Sequence, residues 1–334
     1  GFPDMPSFET PGGLYERPLR GDSAVTLTVP AGSTVRYTTD GTDPTEISPL
    51  YTGPIEVETN TVIRARAFRD GVEPSQIVSQ TYLISVYHTM PIVCLTTDPD
   101  NMWNEETGMF ADGPNIDREN TTPPWKDATY WQKNWFGGWV EYYDEDGVQQ
   151  LSQGMTFRVM GNYSLDMPQK SMYIKADGQY GVDAFNYALF DDRPFTSYAS
   201  FVLRNGGQDG LYTRVIDGMQ ARIIEQSGSS VVTQAWKPVI VYINGEYWGH
   251  YNMRERAGYK AVAQHEGWEN PDDIDMVESD GLSSSQVNHG SNSDFKALYE
   301  YAKEHDPATD PEAYEYLCSQ IDVDNMIDYF IFES

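Results

Sequence analysis

The sequence predicts an α+β protein in which a small N-terminal β-sandwich precedes a mixed α+β module. Three observations carry that prediction. Residues 11–84 hold short β-rich runs separated by Gly, Pro and Asp turns, two strand-turn-strand units lie between residues 156 and 255, and helical periodicity is concentrated after residue 214. A chain of 334 residues has room for two domains. The divisions read from it are an N-terminal extension at 1–10, the β-sandwich at 11–84 and the larger module at 85–334.

Composition narrows the partners. With 51 acidic residues against 22 basic ones the net charge is −29, which opposes binding to nucleic acid or anionic membrane, since both reward Lys/Arg patches. No apolar run reaches the length of a membrane span. The opening GFPDMPSFETPGG has neither the basic start nor the apolar core of a targeting signal. Cys94 and Cys318 lie far apart in apolar contexts and form no Cys-x-x-Cys motif, so buried free thiols are expected rather than a disulfide.

In the first module VTLTV, TVRYTT, IEVET, TVIRARAF and SQTYLI have the spacing of a small antiparallel sandwich. Period-2 alternation in TVIRARAF puts Val62, Arg64, Arg66 and Phe68 on one face, which predicts a solvated arginine face. Tyr37 to Pro44 is a turn cluster, with Gly41 and Pro44 supplying the special dihedrals. That cluster, with Tyr51-Thr-Gly-Pro-Ile and TVIRARAFRDG, resembles the β-sandwich appended to chitobiases and many bacterial surface enzymes. The resemblance implies a structural or spacer module; carbohydrate binding is the sharper alternative and requires exposed planar aromatics.

Next comes MPIVCL, a buried strand by composition, and then a loop-rich stretch to residue 154 holding Trp103, Trp125, Trp131, Trp135 and Trp139. Such tryptophans are expected to pin the loop to the body. Asp98, Asp100, Asn101, Glu105 and Glu106 offer a seat for a structural calcium ion, although their spacing is not that of an EF-hand. WVEYYDEDGVQ reads as a strand entering an Asp146-Gly147 turn.

The stretch FRVMGNYSLDMPQKSMYIK, residues 157–175, is strand, polar turn, strand, and it places Arg158, Lys170 and Lys175 on or beside strands. From residue 154 to 222 there are seven Lys/Arg and seven Asp/Glu, whereas from 266 to 334 there are two and eighteen. Local balance inside an acidic chain fits either a focused site for phosphate or carboxylate or a set of ordinary ion pairs. FVLRNGGQD ends a strand in a Gly-rich turn, and Val215, Met219, Ile223 and Ile224 follow at helical spacing with Thr213 as N-cap. Arg204 and Arg214 flank that helix start, a natural place for an anion.

Asn244-Gly245 marks a hairpin whose second strand carries Tyr247, Gly249, Tyr251, Met253 and Glu255 on one face. A carboxylate ending an apolar row needs a partner, so Glu255 is half of a structural ion pair or an acid in a cleft. Residues 269–292 form an acidic Ser/Gly-rich loop, suited to solvent or to a basic substrate tail. Asp294–Glu304 and Pro311–Gln320 read as helices, the second with Asp310 as N-cap. A last amphipathic helix carries Val323, Met326, Ile327, Phe330 and Ile331.

Taken together RVMGNYS…PQKSMYIK, YGVDAFNYALF, FVLRNGGQD…TRVIDGM, VYINGEYWGHYNMRE and IDVDNMIDYFIFE resemble, in order, the CotH family of spore-coat-type atypical protein kinases. The resemblance spans about residues 90–334. It implies transfer of the γ-phosphoryl of ATP, with Mg or Mn, to hydroxyls of exported or surface proteins, in a bacterial secreted or cell-surface setting. Phosphoryl transfer needs cations on the phosphates. The resemblance assigns Arg158, Lys170, Lys175, Arg204, Asn205 and Glu255 to the nucleotide, alongside Gly161, Asn162, Asp209 and Arg214, with Lys175 paired to Glu255. Arg158 or Lys170 are the substitutes for Lys175.

The family's catalytic Asp/Asn loop is expected downstream of Ser334. No catalytic residue is therefore assigned within the segment, and the module reads as truncated at its C-terminus. The alternative function is a non-catalytic surface, adhesion or carbohydrate-associated scaffold with glycan or cell-envelope contact. Gly-x-Ser-x-Gly, His-Glu-x-x-His, a P-loop and Asp-Phe-Gly do not occur.

Overall fold

TVIRARAF and VSQTYLI are rich in β-branched and aromatic residues, and they become the central pair of the first sheet. In chain order the strands of this region are β1 (Ser7–Phe8), β2 (Gly13–Tyr15), β3 (Leu27–Thr28), β4 (Thr34–Thr38), β5 (Thr61–Phe68) and β6 (Val78–Ile84). The sheet order is β2-β6-β5-β4, antiparallel except for β2 against β6, and β1 pairs with β3. Leu19, Val25 and Leu27 close over Val35, Ile63, Ala65 and Tyr82 in one apolar core. IEVET contributes single bridges, Ile55 to Val25 and Val57 to Leu19, rather than a strand.

The solvated arginine face expected on β5 is not there. Arg64 is 5% exposed. Its guanidinium pairs with Asp43 and donates to the Gly41 carbonyl, while Arg66 Nε donates to the Ser75 carbonyl at 2.5 Å. The Asp40–Pro44 turn folds back over the sheet and supplies the acceptors of Arg64, a long-range contact that alternation alone does not encode.

The model is a computed structural model describing residues 2–117, 119–120, 122–279 and 285–333. Its contacts group Gly1–Val215 with Trp236–Arg254 as one unit, and Ile216–Ala235 with Glu255–Ser334 as a second. The first unit also holds a closed seven-stranded barrel. Its strands are β7 (Ile92–Thr96), β8 (Phe136–Tyr143), β9 (Gln149–Met160), β10 (Ser171–Lys175), β11 (Ser200–Arg204), β12 (Trp236–Ile243) and β13 (Glu246–Glu255). They run β10-β11-β13-β12-β7-β8-β9 around the barrel. The parallel pairing of β12 with β7 joins segments almost 150 residues apart in sequence.

Phe157, Val159, Met172, Ile174, Phe201 and Leu203 are at most 1% exposed and form the buried row of β9, β10 and β11. The sandwich docks on this barrel. Leu83 of β6, with Leu14, meets Ile92, Cys94, Tyr143, Ile240 and Tyr242, and Trp139 packs against the sandwich core. The short helix α1 (Pro99–Trp103) follows β7, and Asp98 caps it through the Asp100 amide while accepting from the Asp43 amide at 2.9 Å.

The second unit contains α2 (Ile216–Ser227), α3 (Tyr259–Glu266), the hairpin β14 (Met276–Ser279) and β15 (Ser285–His289), and helices α4 (Ser293–Glu304), α5 (Pro311–Gln320) and α6 (Val323–Glu333). Asp310 caps α5 through the Glu312 and Ala313 amides. The acidic stretch expected as a loop thus carries a strand pair; residues 280–284 within it lie outside the described residues. Ser334, beyond which the catalytic loop was placed, does too. Cys94 and Cys318 are free thiols. Among the described residues no helix is long and apolar enough to cross a membrane.

Candidate functional site

Strand register decides which cations meet. Arg158 of β9 lies opposite Tyr173 of β10, and Lys175 lies opposite both Thr156 and Ser200. Tyr173 is in turn opposite Val202, which puts Arg204, two residues on, on the same side. Directly opposed antiparallel residues share a face and faces alternate along a strand. Arg158, Tyr173, Lys175 and Arg204 therefore occupy one face of the β9-β10-β11 sheet, the face opposite the buried apolar row. From Arg204 to Lys175 the face runs four strand positions, roughly 13 Å at the usual rise. A single phosphate cannot cover that span, whereas a polyphosphate met by long Arg and Lys side chains can.

Aromatic rings hold the middle of this face. The Arg158 guanidinium lies 4.8 Å from the Trp135 ring centroid and 6.0 Å from that of Tyr173, and the two rings meet edge-on at 5.2 Å. Cation-π placement orients the guanidinium. Lys133 adjoins the cluster, with Nζ 3.4 Å from Asn162 Oδ1. Burial and the nearby Arg158 charge both lower its pKa. Lys175 is exposed at the strand end.

Lys170 and Asn205 go to a different place, the turn-rich end of the same strands. Lys170 is 4% exposed. Its ammonium donates to the Leu165 carbonyl at 2.5 Å and the Met167 carbonyl at 3.1 Å, and sits 4.0 Å from the Tyr130 ring. Burial pulls its pKa down to about 8 against the raising effect of Asp112 and Asp166. Asn205, 3% exposed, accepts from Ser171 Oγ and the Gly207 amide at 2.9 Å each and donates to the Gln169 carbonyl at 2.7 Å. These two side chains fasten the 161–170 turn to the Gly-rich turn after β11. The polar atoms of Lys170 and Asn205 are engaged inside the protein, and their assignment to the nucleotide rests on the family resemblance alone.

The Gly-rich turn needs its glycines: Gly206 and Gly207 have φ of +95° and +58°, in the left-handed region that side chains avoid. Arg214, also left-handed, donates to the Gly210 carbonyl, to Gln169 Oε1 and to the His250 carbonyl. Its own carbonyl accepts from the Asn252 amide group. Helix α2 begins at Ile216, later than Thr213 capping implied. Asp209 accepts from the Thr213 hydroxyl and amide and shapes the turn.

Glu255 is 4% exposed. Its carboxylate accepts from the Ala235 amide at 2.7 Å and lies 3.1 Å from His265 Nε2 on α3. The His265 neighbour and the Ala235 amide accord with the structural-pair reading of Glu255, and its pairing with Lys175 rests on the family resemblance alone.

Sequence reasoning missed Trp135, Lys133, Gln169, His250 and Asn252. Trp135 immediately precedes β8, and only the register of Phe136 against Phe157 brings it beside Arg158. Asp98, first of the calcium candidates, spends its oxygens on the Asp100 and Asp43 amides. Among the described residues no group of three or more His, Cys, Asp or Glu side chains is gathered to hold a metal ion, so no ligand set for Mg, Mn or Ca is assigned. Arg158, Lys175 and Arg204 do suit the phosphates of ATP in charge and in span.

Two family models match the chain. One described as CotH kinase protein matches residues 157–334, and one described as Chitobiase/beta-hexosaminidase C-terminal domain matches residues 10–79. Comparison with curated proteins gives no match.

Proposed function

The chain belongs to the CotH kinase protein family, and we propose that it takes part in ATP-dependent phosphoryl transfer to hydroxyl side chains of exported or surface proteins. The observation that supports this reading is the alignment of Arg158, Lys175 and Arg204 on one face of β9-β10-β11 in a protein of net charge −29. A strongly acidic molecule repels a polyphosphate everywhere except where cations are concentrated. Bound ATP would supply the γ-phosphoryl group. The chain's contribution is to hold the phosphate oxygens: Arg158, stacked on Trp135, from the middle of the face, and Lys175 and Arg204 from its two ends.

An acidic surface favours a basic substrate, and a secreted or cell-surface place in a bacterium accords with the family resemblance. The second reading, a non-catalytic scaffold, draws on the engagement of Lys170, Asn205 and Glu255 inside the protein. ATP titration separates the two. Lys175→Ala, at an exposed position, is expected to weaken ATP binding about tenfold, the worth of one charge-assisted contact, and to leave thermal stability unchanged. Equal affinity for wild type and variant removes Lys175 from the site, and absence of ATP binding in the wild type favours the scaffold.

A further inference from the structure

A second buried acid lies away from the cationic face, where the sandwich meets the barrel. Glu141, in β8, is 0% exposed. Its Oε1 accepts from the Thr81 amide of β6 at 3.1 Å, from Tyr143 Oη at 2.7 Å and from Gln149 Nε2 at 3.0 Å. Gln80, next to Thr81, accepts from the Gly12 amide and from Gln149 and donates to Ser152. The Glu141 carboxyl thus joins Tyr143 and Gln149 of the barrel to Thr81 of the sandwich, and Gln149 carries the network on to Gln80. There is no room around it: a Cβ on Gly12 would stand 2.8 Å from Glu141 Oε1 and 2.9 Å from the Thr81 carbonyl.

The other oxygen, Oε2, is buried with no hydrogen-bond partner. The groups facing the carboxyl are Thr81 and Tyr82 from β6, Cys94 from β7, Tyr143 on its own strand, Gln149 and Ser152 from β9, and Gly12. Among the described residues none of them is a cation. Leu83, Ile92, Ile240 and Tyr242 surround the network with apolar surface.

A carboxylate in such a place is costly unless it is neutral or hydrated. We propose that Glu141 is a proton-dependent latch: protonated, it holds the sandwich against the barrel, and ionised, it loosens that junction. Desolvation pushes its pKa up to about 7, with Thr81, Tyr143 and Gln149 pulling the other way. A raised carboxyl pKa in the docked state means docking is favoured fully below the ordinary glutamate range. That contribution is lost as pH rises through about 7. The equilibrium for opening the junction then grows on the order of fiftyfold between pH 5 and pH 8.

The test is hydrogen exchange of the Thr81 and Gly12 amides, corrected for intrinsic rates, from pH 5 to 8 in wild type and Glu141→Gln. The expected result is protection that falls with pH in the wild type and stays flat in the variant. Parallel profiles in the two proteins, or a wild-type profile without slope, overturn the latch. Should Glu141→Gln fail to fold, infrared titration of the wild-type carboxyl decides: a midpoint near 7 supports the proposal and one below 5 refutes it.

Discussion

Arg158→Gln, Lys175→Gln and Arg204→Gln combined lower the affinity of the protein for ATP by at least about a hundredfold, with thermal stability shifted little. Each side chain offers a charge-assisted hydrogen bond worth about 1.5–3 kcal/mol, and glutamine keeps much of the length and the donor capacity while removing the charge. The loss is larger at low salt than at high salt, because the field of three cations in an acidic protein is screened over about 10 Å at 0.1 M. Isothermal titration of wild type and variant with ATP measures the loss. A triple variant that binds ATP as the wild type does would mean that this face does not hold the nucleotide.

Asn205→Ala is expected to destabilise the first unit by about 3–5 kcal/mol, since it leaves the buried Gly207 amide, Ser171 hydroxyl and Gln169 carbonyl short of partners, at about 1–3 kcal/mol each with partial relaxation. Denaturant unfolding measures the loss. The effect reaches the cationic face, because Asn205 directly follows Arg204 and fixes the turn on which Arg214 bridges Gln169 and His250. A cost below about 1 kcal/mol would show that the network beneath the face is dispensable.

Local chemistry in the sequence was enough for the strands and for several ends of elements. Asn244-Gly245 with φ values of +51° and +81° makes the hairpin turn its dipeptide announces, and Asp310 with Pro311 starts α5 as their cap and N1 preferences dictate. The cations of residues 157–175 and Arg204 could be picked out by contrast with an acidic chain. Their division could not. Arg158, Lys170 and Lys175 look alike in sequence, yet register puts Arg158 and Lys175 on the face opposite the buried apolar row, while the bend at residues 161–170 turns Lys170 inward onto carbonyls.

Barrel closure was equally hidden, because the parallel pairing of β12 with β7 is a long-range choice made by packing. The same holds for Arg64 and Glu141. Each sits on an alternating strand whose outward face should meet water; the Asp40–Pro44 turn covers Arg64, and β6 of the sandwich covers Glu141. The resemblance of residues 10–79 to an appended sandwich suggested a spacer, whereas Leu83, Leu14 and the Glu141 network make the module a docked part of the first unit.

The most direct test of the central claim is hydrogen exchange of the whole protein with and without Mg-ATP. Exchange is expected to slow in β9, β10, β11 and the turn after Arg204, with Lys175 and Arg158 at the centre of the change. Protection confined to the sandwich, or no change at saturating nucleotide, would contradict it.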